Sequence, residues 1–388
     1  MVTLYGSFFF GYCIVAIVGP YLQVMIRNFG YSYEVVGSLL SIYEIASIVG
    51  PLLIAAYIDR TQRMRSTLII SALVTSFSIM LLAYINHLAV IAFALITLAF
   101  FFRSIMPVLD SWANNQYDGN SRSYSYVRAF GSFGFVLISL FFAATGLPDS
   151  TRNSSIAMWG MGLSLVFLAS ILIWPRQAED KTQQEKEKNT NNTGGPWFDQ
   201  AFVIGMIIIC LNRFALSAVN SFFSLYLVEV IKSNSISLMH AIASGSEIIA
   251  IIIAGRLLHK KKVLPVHLFG ASSIALVVRL CLYAFVPTLT GAVIGQLLHS
   301  LCYGAFQPAG VYFVVRRVKR HRRTMGMTIY TSVGNGIPAV IGSLVGGVLI
   351  QRFGYANLFL SYAGFAIASL ILSLFFLSTL STPPLEEI

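Results

Sequence analysis

Charge is what this sequence has least of. Of its 388 residues only 11% are Asp, Glu, Lys or Arg, where soluble domains carry roughly a quarter. Hydrophobic residues make up 56%, and the mean hydropathy is +0.76. Too few polar groups remain to clothe a water-facing surface, which excludes a soluble globular protein and leaves a polytopic membrane protein. Cysteine is scarce as well. Cys13, Cys210, Cys281 and Cys302 all fall inside apolar runs, where a thiol packs as a small apolar group, so they carry no information about redox compartment. There is no HExxH, no GxSxG and no facing pair of aspartates, the sets an intramembrane enzyme would need. An enzyme, a metal and a cofactor are therefore not expected. The first apolar run begins almost at Met1 without a basic n-region or small-residue cleavage site, which predicts a retained helix rather than a removed signal peptide.

Long apolar runs, by contrast, are plentiful. Twelve stretches of membrane-spanning length centre near residues 15, 46, 76, 100, 135, 164, 213, 247, 275, 300, 338 and 366, predicting an all-α membrane protein of twelve transmembrane helices. With the N-terminus placed in the cytoplasm, Arg60, Arg63, Arg65, Arg122, Lys181, Lys186, Lys188, Lys260, Lys261, Lys262 and the cluster 316-RRVKRHRR-323 share the cytoplasmic side. Only Arg27, Arg152, Lys232 and Arg352 fall on the other side. That bias predicts a multi-pass protein of the cell inner (cytoplasmic) membrane of a bacterium, with both termini cytoplasmic. It also accounts for the net charge of +11. The basic loop 316–323 is read as an orientation signal between apolar spans, not as a nucleic-acid site.

The chain divides at 176-RQAEDKTQQEKEKNTNNTGGPWFDQ-200, a charged, Gln- and Asn-rich segment too polar to enter a bilayer. The expected domains are an N-terminal six-helix half (1–175), a cytoplasmic linker (176–199) and a C-terminal six-helix half (200–388). Six spans before such a loop and six after it resemble the build of major facilitator transporters, whose solute site lies between the halves. The loop 55-AAYIDRTQRMR-65 resembles the short acidic and basic motif of that family, with Asp59 and Arg60 followed by Arg63 and Arg65. Gln62 stands where the family usually has glycine. The resemblance gives Asp59 the task of pairing with a basic group to hold one conformation of the cycle.

The charges inside the spans are few and therefore informative. Arg279 sits in 274-IALVVRLCLYAF-285 with no other charge near it, and an arginine at the middle of a span costs on the order of 3 kcal/mol or more. Such residues face a bundle interior or a wet cavity and take partners. The other intramembrane candidates are Glu44, Arg103, Asp110, Arg128, Arg213, Glu247 and the titratable His299. Arg128 and Arg279 are each expected within reach of a carboxylate. Helical spacing sets Tyr124, Arg128, Ser132 and Phe135 on one stripe, His240, Ser244 and Glu247 on a second, and Gln296, His299, Tyr303 and Gln307 on a third. A fourth holds Arg213, Ser217, Asn220, Ser221 and Ser224. A polar stripe on an otherwise apolar helix lines a cavity or bonds a neighbouring helix. Four coincident stripes favour the cavity.

The segments 107-PVLDSWANN-115, 124-YSYVRAFGSFGF-135, 278-VRLCLYAF-285 and 296-QLLHSLCYGAFQP-308 resemble the lactose permease and phenylpropionate permease branch of the major facilitator superfamily. The likeness runs through nearly the whole chain. Its most specific part is spacing: Asp110 and Arg128 are 18 positions apart, and Arg279 and His299 are 20 apart. The resemblance implies that Asp110 and Arg128 bind a polar solute above Phe135, a phenyl ring where lactose permease uses tryptophan. It makes Glu247 the acceptor on the opposite wall and places Arg279 and His299 in a proton-linked cluster. Two departures count against full coupling. Cys302 stands where the proton-coupled relative has an acid, and Asn220 and Gln296 stand where it has a further charge pair, which implies an interaction between the two kept without its charges.

Some assignments stay open on sequence alone. Arg103 lies on the face of Asp110 and can compete with Arg128 for it or pair with Glu44. Arg213 would favour an anionic solute if it faces one. Trp112 is expected to anchor the cytoplasmic interface. The reading is a secondary transporter, functional as a monomer, moving a small polar organic solute by alternating access. A sugar is the first choice, with proton symport as a candidate mode. The alternatives are a permease for an aromatic or other organic acid or a nucleoside, an uncoupled facilitator, and a non-transporting receptor on the same fold.

Overall fold

A computed structural model describes residues 2–116, 121–174, 198–319 and 322–382. The predicted linker 176–199 lies outside the described residues except for its last two, Phe198 and Asp199. Lys181, Lys186 and Lys188, and Arg320 and His321 of the basic cluster, lie outside them too.

Helix succeeds helix along the chain: α1 (Val2–Asn28), α2 (Tyr33–Thr61), α3 (Met64–Tyr84), α4 (Leu88–Gln116), α5 (Ser121–Thr145) and α6 (Asn153–Leu172) come first. After the linker follow α7 (Gln200–Glu229), α8 (Ile236–His259), α9 (Pro265–Phe285), α10 (Leu289–Leu297), α11 (Phe306–Arg317), α12 (Arg323–Ile329), α13 (Ile337–Phe375) and α14 (Leu377–Leu380). Two π-helical stretches interrupt the second set, Ser300–Ala305 between α10 and α11 and Tyr330–Gly336 between α12 and α13. Among the described residues eleven helical runs are long and apolar enough to cross a membrane, the last a 51-residue run from Met325 to Phe375. That last run is broken at Gly354, whose φ of 78° only glycine adopts without strain. The break makes two spans of one run and brings the crossing segments to the twelve expected.

The chain separates into two compact units, Met1–Gln184 with Lys232–Ala241, and Glu185–Ile231 with Ile242–Ile388. In the first, α1 packs on α5 and α6, α2 on α4, and α3 on α4 and α6. The turn into α8 belongs to this unit through Tyr21 Oη and Ser237 Oγ at 2.7 Å and Ser150 Oγ donating to Asn234 at 3.0 Å. In the second, α13 packs on α7 and α9, and Phe202, Phe269, Phe306, Phe313 and Tyr330 form an aromatic core. Large apolar side chains such as Leu53, Ile249 and Phe375 stay exposed, as expected of helices whose outer solvent is lipid.

Buried hydroxyls and amides stitch the helices together. Ser7 bonds Ser170 at 3.0 Å, Ser273 bonds Ser369 at 3.1 Å, and Asn212 donates to Ser273 at 3.1 Å. Where lipid offers no polar partner, such bonds hold spans in register. Arg317, at the end of α11, closes the second unit: it donates to Asp199 Oδ2 at 2.8 Å, to the Leu380 carbonyl at 2.8 Å and to the Thr382 carbonyl at 2.7 Å. Asp199 in turn caps α7 by accepting from the Phe202 N–H at 2.8 Å.

The acidic and basic motif spans the end of α2 and the start of α3. Asp59 and Arg60 are exposed, and among the described residues no basic group forms an ion pair with Asp59. Arg65 of the same motif caps the C-terminus of α6, donating to the carbonyls of Ile171 at 3.4 Å and Leu172 at 2.9 Å. Gln62 ends α2 in the left-handed region, φ 56°, with its N–H on the Ile58 carbonyl. This is the position where a glycine costs least, so Gln62→Gly is expected to stabilise the protein by about 1 kcal/mol, read as a higher midpoint of thermal unfolding in detergent.

Candidate functional site

Both units hold intramembrane charge. In the first, the packing of α2 on α4 sets Glu44 against Arg103, Oε1 to Nη2 at 3.6 Å, with the guanidinium 5.5 Å from the centre of the Tyr43 ring. Arg103 is thus on Glu44, and Asp110 is left to Arg128. Arg128 Nη1 reaches Asp110 Oδ2 at 3.1 Å and the Tyr124 hydroxyl at 2.7 Å. Tyr124 precedes Arg128 by four residues, one turn of α5, so the stripe read from the sequence aims both side chains at one carboxylate. Half of the Arg128 side chain stays exposed, against 28% of Asp110, so the pair has an open side. Phe135, two turns along the same helix, is half-buried.

The second cluster is built around Arg279, only 1% exposed. Its Nε donates to the Tyr283 hydroxyl at 3.0 Å and its Nη2 to Gln296 Oε1 at 2.8 Å, and its Nη1 lies 3.0 Å from His299 Nδ1. A guanidinium has no acceptor, so Nδ1 of His299 must be the acceptor and the ring is the neutral Nε2–H tautomer. That proton points to Glu247, whose Oε2 is 3.6 Å from Nε2. The ring of His299 lies parallel to that of Tyr303, 5.5 Å between centres and 5° between planes. Gly304 permits this meeting: a Cβ there would come within 2.9 Å of the Glu247 carbonyl, so only glycine lets the π-helical stretch approach α8 so closely.

Four expectations are corrected here. No carboxylate forms an ion pair with Arg279 among the described residues; three neutral acceptors, from Tyr283, Gln296 and His299, satisfy it instead, and Glu247 meets it only through His299. Gln296 is spent on Arg279 rather than on Asn220, which is exposed. The α7 stripe divides. Ser217, Ser221 and Ser224 are buried in helix packing, leaving Asn220 as its exposed member. Trp112 is buried edge-to-face against Trp174 rather than serving as a surface anchor. Arg213, 5% exposed, lies on the rings of Phe306 and Tyr303, 4.2 and 4.8 Å from their centres. Tyr283, Phe306 and Tyr330 were not singled out from the sequence; the first was signalled by its i+4 spacing from Arg279, the others by nothing local.

Ionisable groups kept inside the spans of a multi-pass helical chain mark substrate and ion pathways, as in membrane transporters. Residues 1–361 match the MFS_1 like family, and the chain belongs to it. It is similar to the probable 3-phenylpropionic acid transporter of Escherichia coli (strain K12), 23% identical over 90% of each chain. It is also similar to the maltose permease of Geobacillus stearothermophilus, 22% identical over 92% of this chain and 89% of the relative. Among solved structures, the nucleoside transporter NupG superposes with a TM-score of 0.81 at 18% identity, over 98% of this chain and 99% of NupG. That last likeness concerns the fold.

Proposed function

We propose that this protein is a secondary transporter of the cytoplasmic membrane, with both termini in the cytoplasm. It moves a small polar organic solute by alternating access, and not by enzymatic conversion. The observation that carries the reading is the pair of charge clusters, Asp110 with Arg128 and Tyr124 in one unit, and Glu247 with His299 and Arg279 in the other. Ionisable groups inside spans are costly and mark solute and proton paths. Asp110 and Arg128 are the proposed solute contacts of the first unit, with Phe135 as an apolar platform. Glu247 and Asn220 serve the second, while Glu247, His299 and Arg279 handle a proton. Glu44 and Arg103 hold α2 to α4, and Asp59 and Arg60 engage a partner in another state of the cycle. The protein works as a monomer.

A saccharide is the first solute class, in keeping with the maltose permease relative. An organic acid is the second, in keeping with the phenylpropionic acid transporter, and it has a structural argument of its own in Arg213. Right-side-out vesicles offered labelled sugars, nucleosides and carboxylic acids test the reading. Saturable uptake of at least one solute above that of vesicles lacking the protein is expected. Binding of a solute without any uptake would make the protein a receptor instead.

A further inference from the structure

Among the described residues of the second unit three arginines are almost fully buried: Arg213, Arg279 and Arg317, at 5%, 1% and 4% exposure. Arg279 satisfies all three of its nitrogens. Arg317 donates to a carboxylate, a hydroxyl and two carbonyls. Arg213 does neither. Its Nε and Nη1 have no hydrogen-bond partner, and its single bond, Nη2 to Gln307 Oε1, is long at 3.4 Å. That acceptor is already held by the Tyr330 hydroxyl at 2.9 Å.

The surroundings hold the guanidinium by its faces and leave its edges unmet. Tyr303 and Phe306 lie against the plane, which is where aromatic rings attract a cation without using its N–H bonds. A carboxylate grips a guanidinium along an edge, either Nε with Nη2 or Nη1 with Nη2. Each of those edges of Arg213 contains a nitrogen with no acceptor. A buried unmet donor is costly, and more so when charged, so the arrangement is incomplete without an anion. Charge points the same way. Among the described residues in the middle of the spans of this unit there are two arginines, Arg213 and Arg279, and one carboxylate, Glu247, with His299 held neutral, so one positive charge remains to be matched.

The location is also that of a working part. Tyr303 lies in the π-helical stretch Ser300–Ala305, and Tyr330 opens the stretch Tyr330–Gly336. Such turns sit disproportionately at functional positions because their backbone is less tightly constrained than an α-helix. One ring on Arg213, that of Tyr303, and the hydroxyl of Tyr330 that bonds its acceptor Gln307 thus come from irregular stretches, while Phe306 and Gln307 open α11.

We infer that Arg213 is an anion-recognition residue and that the solute carries a carboxylate, which closes the unmet edge of this guanidinium against the rings of Tyr303 and Phe306. The inference rests on the transporter reading and narrows its solute to organic acids. It is tested with matched probes that differ only in the acidic group: benzoate against benzamide, acetate against acetamide, and glucuronate against glucose. Affinity is read from thermal stabilisation of the purified protein, and exchange of the same probes by counterflow in proteoliposomes. In at least one pair the carboxylate is expected to bind about tenfold or more tightly than its neutral partner, a preference that Arg213→Gln removes and Arg213→Lys keeps in part. Parity within every pair in the wild-type protein overturns the inference, whether or not the variants fold, as does a preference that survives Arg213→Gln. The two readings fail separately. An Arg213-dependent preference without counterflow keeps the anion site and contradicts transport, whereas counterflow of neutral sugars with parity in binding keeps transport and removes the anion site.

Discussion

Asp110→Asn and Arg128→Ala are each expected to weaken solute binding about tenfold or more, ~1.4 kcal/mol, in a direct binding measurement on protein of unaltered helix content. The two side chains form one unit, with Arg128 donating to both Asp110 and Tyr124. Neutralising the carboxylate frees the guanidinium from its orientation; truncating the arginine leaves a carboxylate without its counter-charge inside the span. A purely structural pair would behave similarly in the single variants, so the double variant Asp110→Asn with Arg128→Gln decides. Removing both charges relieves the uncompensated one and should restore stability. If the pair binds solute, affinity stays low in the double variant. If the pair only holds α4 to α5, affinity returns with stability.

Glu247→Gln is expected to abolish proton movement linked to solute entry, seen as loss of alkalinisation when solute is added to de-energised cells. The argument is positional. A co-transported proton needs a group that gains it in one conformation and loses it in another. Here Glu247 faces the Nε2–H of His299, and the other ring nitrogen is engaged by Arg279. A change that withdraws Arg279 from His299 would give the imidazole a second site for a proton and make Glu247 its neighbouring donor. Cys302 is buried beside this set, at the position where the sequence resemblance implies an acid for strong coupling, so the alkalinisation of the wild-type protein should be small. His299→Gln should impair uphill uptake more than counterflow, which moves no net proton. A strong signal that persists in Glu247→Gln would assign the proton to Glu44 or Asp110.

The sequence carried the helices and the identity of the charges because hydrocarbon imposes both: spans must be apolar, and the exceptions must matter. The spacing of Tyr124 and Arg128 was enough to bring them together, since a single helix dictates it. The choice of partner for Arg103 was not legible, because Glu44 lies on another helix and only the packing of α2 on α4 selects it. Arg279 shows a second limit. Charge counting predicted a carboxylate, yet Tyr283, Gln296 and His299 satisfy the guanidinium with neutral acceptors. Polar stripes were ambiguous for a related reason: Ser217 and Ser224 of α7 are used in packing, and a serine that bonds a neighbouring helix looks, in sequence, like one that lines a cavity. The π-helical stretches around Tyr303 and Tyr330 had no local signal, since they depend on how α10 to α13 pack rather than on any residue type.

Counterflow by the purified protein in proteoliposomes tests most directly the claim that these charge clusters handle a solute. The account predicts saturable exchange of at least one small organic solute by the wild-type protein. It predicts exchange reduced about tenfold or more in Asp110→Asn at a solute level below saturation. Wild-type exchange that is undiminished in Asp110→Asn, Arg128→Ala and Glu247→Gln alike, all normally folded, would contradict it and leave the clusters as structural pairs within the bundle.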